Sequence, residues 1–155
     1  MRFAGALAEC VTGGMVRYWL SGPAEDGYGP TLDRVLARAT VDVTLGRTPS
    51  AADAYAACDV VVFPSTWEGF GNPTIESVVT RRPLAAARYP VLAEITAHGL
   101  QFFDLDQVAE VARFLEEPNE ARLDANLRRA RTAFSLTDLP ETLTEIFETH
   151  GWWSW

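Results

Sequence analysis

Glu68 and Glu76 stand eight positions apart in the stretch 65–77, STWEGFGNPTIES, with Gly69, Gly71, Asn72 and Pro73 between them. A carboxylate accepts hydrogen bonds from hydroxyl groups, and such charge-assisted bonds are short and strong. The intervening glycines let a ligand approach the backbone closely. Gly69, Gly71 and Pro73 rule out one continuous helix across the interval. Asn72 is a good N-cap and Pro73 suits the first helical position, so a helix is expected to begin here. Glu76 then lies near its first turn, and Glu68 on the loop that feeds it. Free N–H groups at a helix start can receive phosphate oxygens. Alone, Glu76 would be a helix-start carboxylate favoured by the dipole and Glu68 a solvated loop residue. Together with the glycines and the Asn-Pro pair, the two acids suit a ligand that is phosphorylated and rich in hydroxyls.

The elements that must hold these groups are short and alternate. Strand patterns cover 16–20, 41–45, 59–63, 84–87 and 101–103, with helical patterns over 31–39, 51–58, 73–80 and 91–98 between them. Strands separated by helix-length connections predict βαβ units and a parallel sheet. Val60, Val61, Val62 and Phe63 show no polar alternation, the mark of a central strand covered on both faces. From Gln107 the pattern is helical to His150, with breaks near Pro118 and Pro140. The expected fold is α/β, a Rossmann-like doubly wound parallel sheet in one domain over 1–155, with a helical tail over about 106–150. Residues 3–11 read as a helix ending at Gly13-Gly14. A doubly wound domain ordinarily opens on a strand that becomes central, so an opening strand is expected to be missing. The acid loop follows the strand ending at Phe63, which places it at the carboxyl edge where open α/β sheets bind ligands.

Composition narrows the partners. With 155 residues, 48% of them hydrophobic, one sizeable core is the default. The formal charge of −8 argues against a nucleic-acid or anionic-membrane partner, because both want clustered Lys and Arg. No apolar run reaches membrane-spanning length, and the start carries no signal-peptide pattern. Cys10 and Cys58 are unpatterned, as for two structural thiols in a reducing compartment, and Cys58 is expected to be a small buried hydrophobe. These features predict a cytoplasmic protein. His98 and His150 have no companion at metal-ligand spacing. Arg81 and Arg82 are expected to form a solvated helix end that compensates the dipole.

The run DVVVFPSTWEGFGNPTIESVVTRRPLAAARYPVLAEI, with VRYWLSGP, VDVTLGR and AADAYAACDV upstream, resembles the donor-binding half of retaining glycosyltransferases of the GT-B architecture, of the group 1 or family 4 type. The resemblance extends over roughly 16–105. It implies a two-glutamate site that binds a nucleotide-diphosphate sugar and transfers the sugar to an acceptor, without a cofactor or metal. By position, Glu68 would be the catalytic residue, facing the hydroxyls of the transferred sugar, and Glu76 would accept from the ribose hydroxyls. The backbone of Gly69, Phe70, Gly71, Asn72, Pro73 and Thr74 would line the sugar and diphosphate. Gly46 and Arg47 would meet the base, with Gly22 and Ser65 bordering the same edge. Trp67 and Phe70 either wall the sugar pocket or pack beneath the loop.

Several features depart from that pattern. The family's phosphate-holding Arg and Lys, on the first strand-helix loop, have no counterpart here, and its N-terminal acceptor domain is absent. Tyr89-Pro90 stands where a Gly-rich turn is frequent, and Glu94 keeps the place of a frequent glutamate in different surroundings. Two alternatives stay open: a non-catalytic nucleotide-binding or assembly module of the same fold, or half of a nucleotide-sugar epimerase. The isolated chain is expected to be inactive in transfer, its acceptor domain lying in cis or on another chain. The closing GWWSW, with Trp152, Trp153 and Trp155, offers apolar surface that predicts self-association of the chain.

Overall fold

The computed structural model describes residues 1–22, 24 and 27–152. Helix α1 (Arg2–Cys10) leads into strand β1 (Arg17–Ser21), followed by α2 (Gly29–Leu36), β2 (Asp42–Gly46), α3 (Ala51–Ala56), β3 (Val61–Phe63), α4 (Asn72–Val79), β4 (Leu84–Ala86), α5 (Pro90–Ala97) and β5 (Phe103–Asp104). Three helices complete the chain: α6 (Val108–Glu116), α7 (Glu120–Ala133) and α8 (Leu139–Thr149). Every strand pair is parallel, in two groups ordered β1-β2 and β3-β4-β5. The alternation read from the sequence is therefore present, with each element within two or three residues of its expected bounds. Pro140 falls inside the first turn of α8 rather than at the break, because a missing N–H costs nothing there.

All three residues of β4 are buried, and their side chains alternate between the two faces as the pleat requires. Ala85 joins Leu7 of α1 and Val111, Ala112 and Phe114 of α6 in one apolar cluster. Leu84 and Ala86 face the other way, into a cluster with Tyr89 and Leu92. Behind α4, Val78, Ile95, Leu100 and Ala130 form a third cluster that seats α7. Helices thus cover both faces of the β3-β4-β5 sheet, as a doubly wound fold demands. The 60–63 run does meet apolar clusters on both sides, Val60 on one and Val61 and Phe63 on the other, but the central strand is β4. The apolar run at Val60–Phe63 was expected to be central, yet β3 is an edge of its sheet and its three residues are only half-buried. Which strand is central depends on its neighbours in space, and the run itself cannot encode that.

Polar ties fix the helices. Thr12 donates to Glu116 Oε1 from its N–H (3.3 Å) and its hydroxyl (2.6 Å), holding the end of α1 against α6. The buried Asn126 of α7 donates to the Gln101 carbonyl at 2.8 Å and accepts from the Gln101 N–H at 2.9 Å. Arg81 is exposed beyond the end of α4, as expected, and Arg82 is half-buried, but both make specific ties. Arg81 pairs with Glu120 and with Asp124, the latter at 2.7 Å, while Arg82 donates to the Ala56 carbonyl at 3.0 Å. The two arginines therefore join α4 to α7 and α3. Cys58 is half-buried and its thiol donates to the Tyr55 carbonyl at 3.4 Å, whereas Cys10 is exposed. No helix among the described residues is long and apolar enough to cross a membrane. Trp152 is 63% exposed and stacks near Phe147 and His150, while Trp153 and Trp155 lie outside the described residues.

Candidate functional site

The acid loop spans the gap between β3 and α4. Its last residue, Gly71, is the N-cap of α4, in the left-handed region with φ 82°. Asn72 was expected as the cap and Pro73 as the first helical residue; both sit one position further in. The reason is steric. Gly71 packs onto the Tyr89 ring, and a Cβ there would strike the Tyr89 hydroxyl and lie 3.1 Å from a Phe63 ring carbon. Only glycine meets both the space and the backbone angle.

This shift changes which N–H groups face a ligand. Pro73 has none, and the Thr74 N–H donates to the Gly71 carbonyl at 2.9 Å. The Thr74 side chain is fully buried, its hydroxyl 2.7 Å from that of Tyr89. Thr74 therefore supports the loop from below. The backbone N–H groups of Glu68, Gly69, Phe70, Gly71 and Asn72 have no hydrogen-bond partner among the described residues. The free donors lie on the loop more than on the helix start.

The two acids differ in their surroundings. Glu68 is half-buried on the loop and makes no hydrogen bond or ion pair among the described residues. Glu76 faces solvent from α4, and its Oε2 accepts a 2.7 Å hydrogen bond from the Tyr55 hydroxyl. Tyr55 is 9% exposed. Burial, then the hydrogen bond and the charge of Glu76, raise the pKa of that hydroxyl above the ordinary tyrosine value. The tyrosine thus stays a neutral donor at physiological pH. Ser65 donates to the Trp67 carbonyl at 3.1 Å, so its hydroxyl shapes the loop from within. Trp67 is 80% exposed, while the Phe70 ring packs edge-on against Phe134.

A concavity lies at the carboxyl ends of β1 and β2. It is open, about 380 Å³ in volume, and lined by Ser21, Gly22, Arg47, Thr48, Pro49, Ser50 and Ala51. Gly22 and Arg47 are brought together there. Gly46 stands beside them, its carbonyl accepting from the Trp19 indole N–H at 3.1 Å. Neither Glu68 nor Glu76 lines this pocket. The link between the two places is α3. Its capping box, in which Ser50 and Asp53 exchange hydrogen bonds, begins at the pocket wall, and its last turn carries Tyr55 to Glu76.

Tyr55 and Tyr89 were missed as site residues. The signal for Tyr55 lies in AADAYAAC: one large side chain among alanines must take the buried face, and tyrosine there implies a partner for its hydroxyl. No group of three or more His, Cys, Asp or Glu side chains gathers among the described residues.

Comparison with known proteins gives a consistent answer. A family described as "Glycosyl transferases group 1" matches residues 3–121. Mannosylglucosylglycerate synthase of Petrotoga mobilis is 33% identical over 69 residues, covering 44% of this chain and 16% of its own length. The D-inositol 3-phosphate glycosyltransferase of Thermobispora bispora is 31% identical over 106 residues, covering 64% of this chain and 25% of its own. The chain therefore spans between a sixth and a quarter of the curated relatives it matches. Among solved structures, a mutant of S. aureus TarM in complex with fondaparinux, alpha-GlcNAc-glycerol and UDP superposes with a TM-score of 0.66 at 18% identity. That alignment covers 94% of this chain and 31% of the other, and carries the GT-B likeness of the fold. The match through both strand groups, the acid loop and α4 means that this chain belongs to the group 1 glycosyltransferase family.

Proposed function

We propose that this chain is the donor-binding half of a retaining glycosyltransferase, which takes a sugar from a nucleotide-diphosphate sugar and passes it to an acceptor. The observation that carries this reading is the acid loop itself. Two carboxylates flank a run of N–H groups, from Glu68 to Asn72, that have no partner among the described residues. N–H groups attract phosphate oxygens, and carboxylates attract hydroxyls, so the loop suits a ligand bearing both. Glu76 accepts from the ribose hydroxyls, and Glu68 from hydroxyls of the sugar being transferred. Donors fixed before the reaction stabilise charge growing on the leaving diphosphate without reorganising. Arg47 and Gly22 line the pocket offered to the base. The acceptor site lies on another domain, in cis or on a partner chain.

Calorimetry with UDP, GDP and the corresponding glucose donors tests the assignment. Glu76→Ala should weaken nucleotide binding about tenfold or more, the loss expected for charge-assisted hydrogen bonds. Glu68→Ala should weaken the sugar-bearing donor while leaving the bare diphosphate near its wild-type affinity. A wild-type chain that binds donor, with both variants unaltered, would remove the acids from the site.

A further inference from the structure

We propose that Tyr55 is a positioning residue for Glu76, and that α3 sets the spacing between the acid and the Arg47 pocket. The proposal rests on the nucleotide reading above and adds a residue which that reading does not need. Three observations support it.

The first is the bond. A glutamate on a solvent-facing helix surface samples several rotamers, and holding it in one costs side-chain entropy. The Tyr55 hydroxyl, 2.7 Å from Glu76 Oε2, limits that freedom before any ligand arrives. The bond occupies one lone pair of Oε2, and Oε1 has no partner among the described residues, so the carboxylate keeps acceptor capacity for incoming hydroxyls. Preorganisation of this kind improves affinity by lowering the cost of ordering on binding.

The second is the anchoring of the donor. Tyr55 is 9% exposed, so its ring is fixed by packing. Its backbone carbonyl accepts from the Cys58 thiol, and the next carbonyl, of Ala56, accepts from Arg82 at the far end of α4. The helix bearing Tyr55 is thus tied to the helix bearing Glu76 at two levels.

The third is the other end of α3. Ser50 and Ala51, at its start, wall the pocket that Arg47 and Gly22 share. Five residues of helical rise, roughly 7 Å, separate that wall from Tyr55. A nucleoside with its base in the pocket and its ribose towards Glu76 would have both contacts placed by one short helix.

The test separates positioning from scaffolding. UDP and GDP are titrated into the wild type, and the better binder is paired with its 2′,3′-dideoxy analogue, which has no ribose hydroxyls for Glu76. Tyr55→Phe should weaken the hydroxylated nucleotide about three- to tenfold and leave the dideoxy analogue unchanged. In a Glu76→Ala background, which has no acceptor for the Tyr55 hydroxyl, the Tyr55 change should add nothing further. If Tyr55→Phe fails to fold, Tyr55→Leu, which also lacks the hydroxyl, is read against the same two nucleotides. Equal losses for both nucleotides would make Tyr55 a scaffold residue only. An unchanged affinity, or a full additional loss in the Glu76→Ala background, would also overturn the proposal. A wild type that binds neither UDP nor GDP would overturn the nucleotide reading itself, before any variant is made.

Discussion

The hydroxyl oxygens of Thr74 and Tyr89 lie 2.7 Å apart in the buried space beneath the acid loop, where either can donate. The Tyr89 hydroxyl is also 3.3 Å from the Phe70 carbonyl, and its ring meets Phe63 edge-on. Gly71 rests on that ring with φ 82°. Gly71→Ala should therefore destabilise the chain by about 2–4 kcal/mol, combining left-handed strain with overpacking. Tyr89→Phe should cost less, about 1–3 kcal/mol, by stranding the buried Thr74 hydroxyl. Urea denaturation of both variants checks the order; a Gly71→Ala chain as stable as wild type would mean that Tyr89 moves aside freely.

The capping box of α3 gives a second expectation. The Ser50 hydroxyl accepts from the Asp53 N–H at 3.2 Å, and Asp53 returns the contact to the Ser50 N–H at 3.1 Å. Ser50→Ala should cost about 1 kcal/mol. The accompanying loss of protection at the first amides of α3, read by hydrogen exchange, should exceed that elsewhere in the chain.

Alkaline stability follows from Tyr55. Its pKa is raised in the folded chain, chiefly by burial and then by Glu76. In the unfolded chain it ionises near the ordinary value of about 10. Above that pH the unfolded state binds fewer protons than the folded state, so stability falls as pH rises. The contribution is fully present below about pH 10 and is lost towards the folded-state pKa. Thermal unfolding between neutral pH and pH 11 should show a steeper alkaline decline in wild type than in Tyr55→Phe; parallel curves would show that another group governs it.

The open edge of β3 carries its own signature. Val61 donates to the Pro83 carbonyl at 2.9 Å, and the Phe63 carbonyl accepts from Ala87 at 2.9 Å, so both residues face β4. In a parallel ladder alternate residues face opposite edges, which turns the Val62 amide outward. The Val62 amide should exchange with solvent much faster than that of Val61. Comparable protection of the two amides would reveal a further strand paired along β3.

Association through the tail is the remaining expectation. Leu139, Leu143 and Ile146 recur at helical spacing along α8 and are each about two-fifths exposed, with Trp152 more exposed still. A contiguous apolar stripe of this kind favours association. Light scattering should show a mass above that of a monomer at high micromolar concentration, reduced when residues 151–155 are removed. A monomer in both forms would show the stripe to be tolerated in water.

The sequence by itself determined what is local. Apolar runs of strand length, alanine-rich helical stretches, and Gly and Pro punctuation placed each element within a few residues, because sterics and hydrogen bonding act over a few positions. The alternation of strand and helix determined the parallel sense, and the glycines around Glu68 and Glu76 marked the loop. Tertiary structure alone decided what depends on neighbours distant in the chain. It made Gly71 the cap in place of Asn72, through the Tyr89 ring beneath it. It put the apolar β3 at an edge and β4 in the middle, since strand order is a matter of packing. It joined Tyr55 to Glu76 across 21 positions and drew Arg81 and Arg82 into ties with α7 and α3. Side-chain pairs of that separation leave no period in the sequence; burial decides them, when one face of each helix leaves water and its polar groups must find partners.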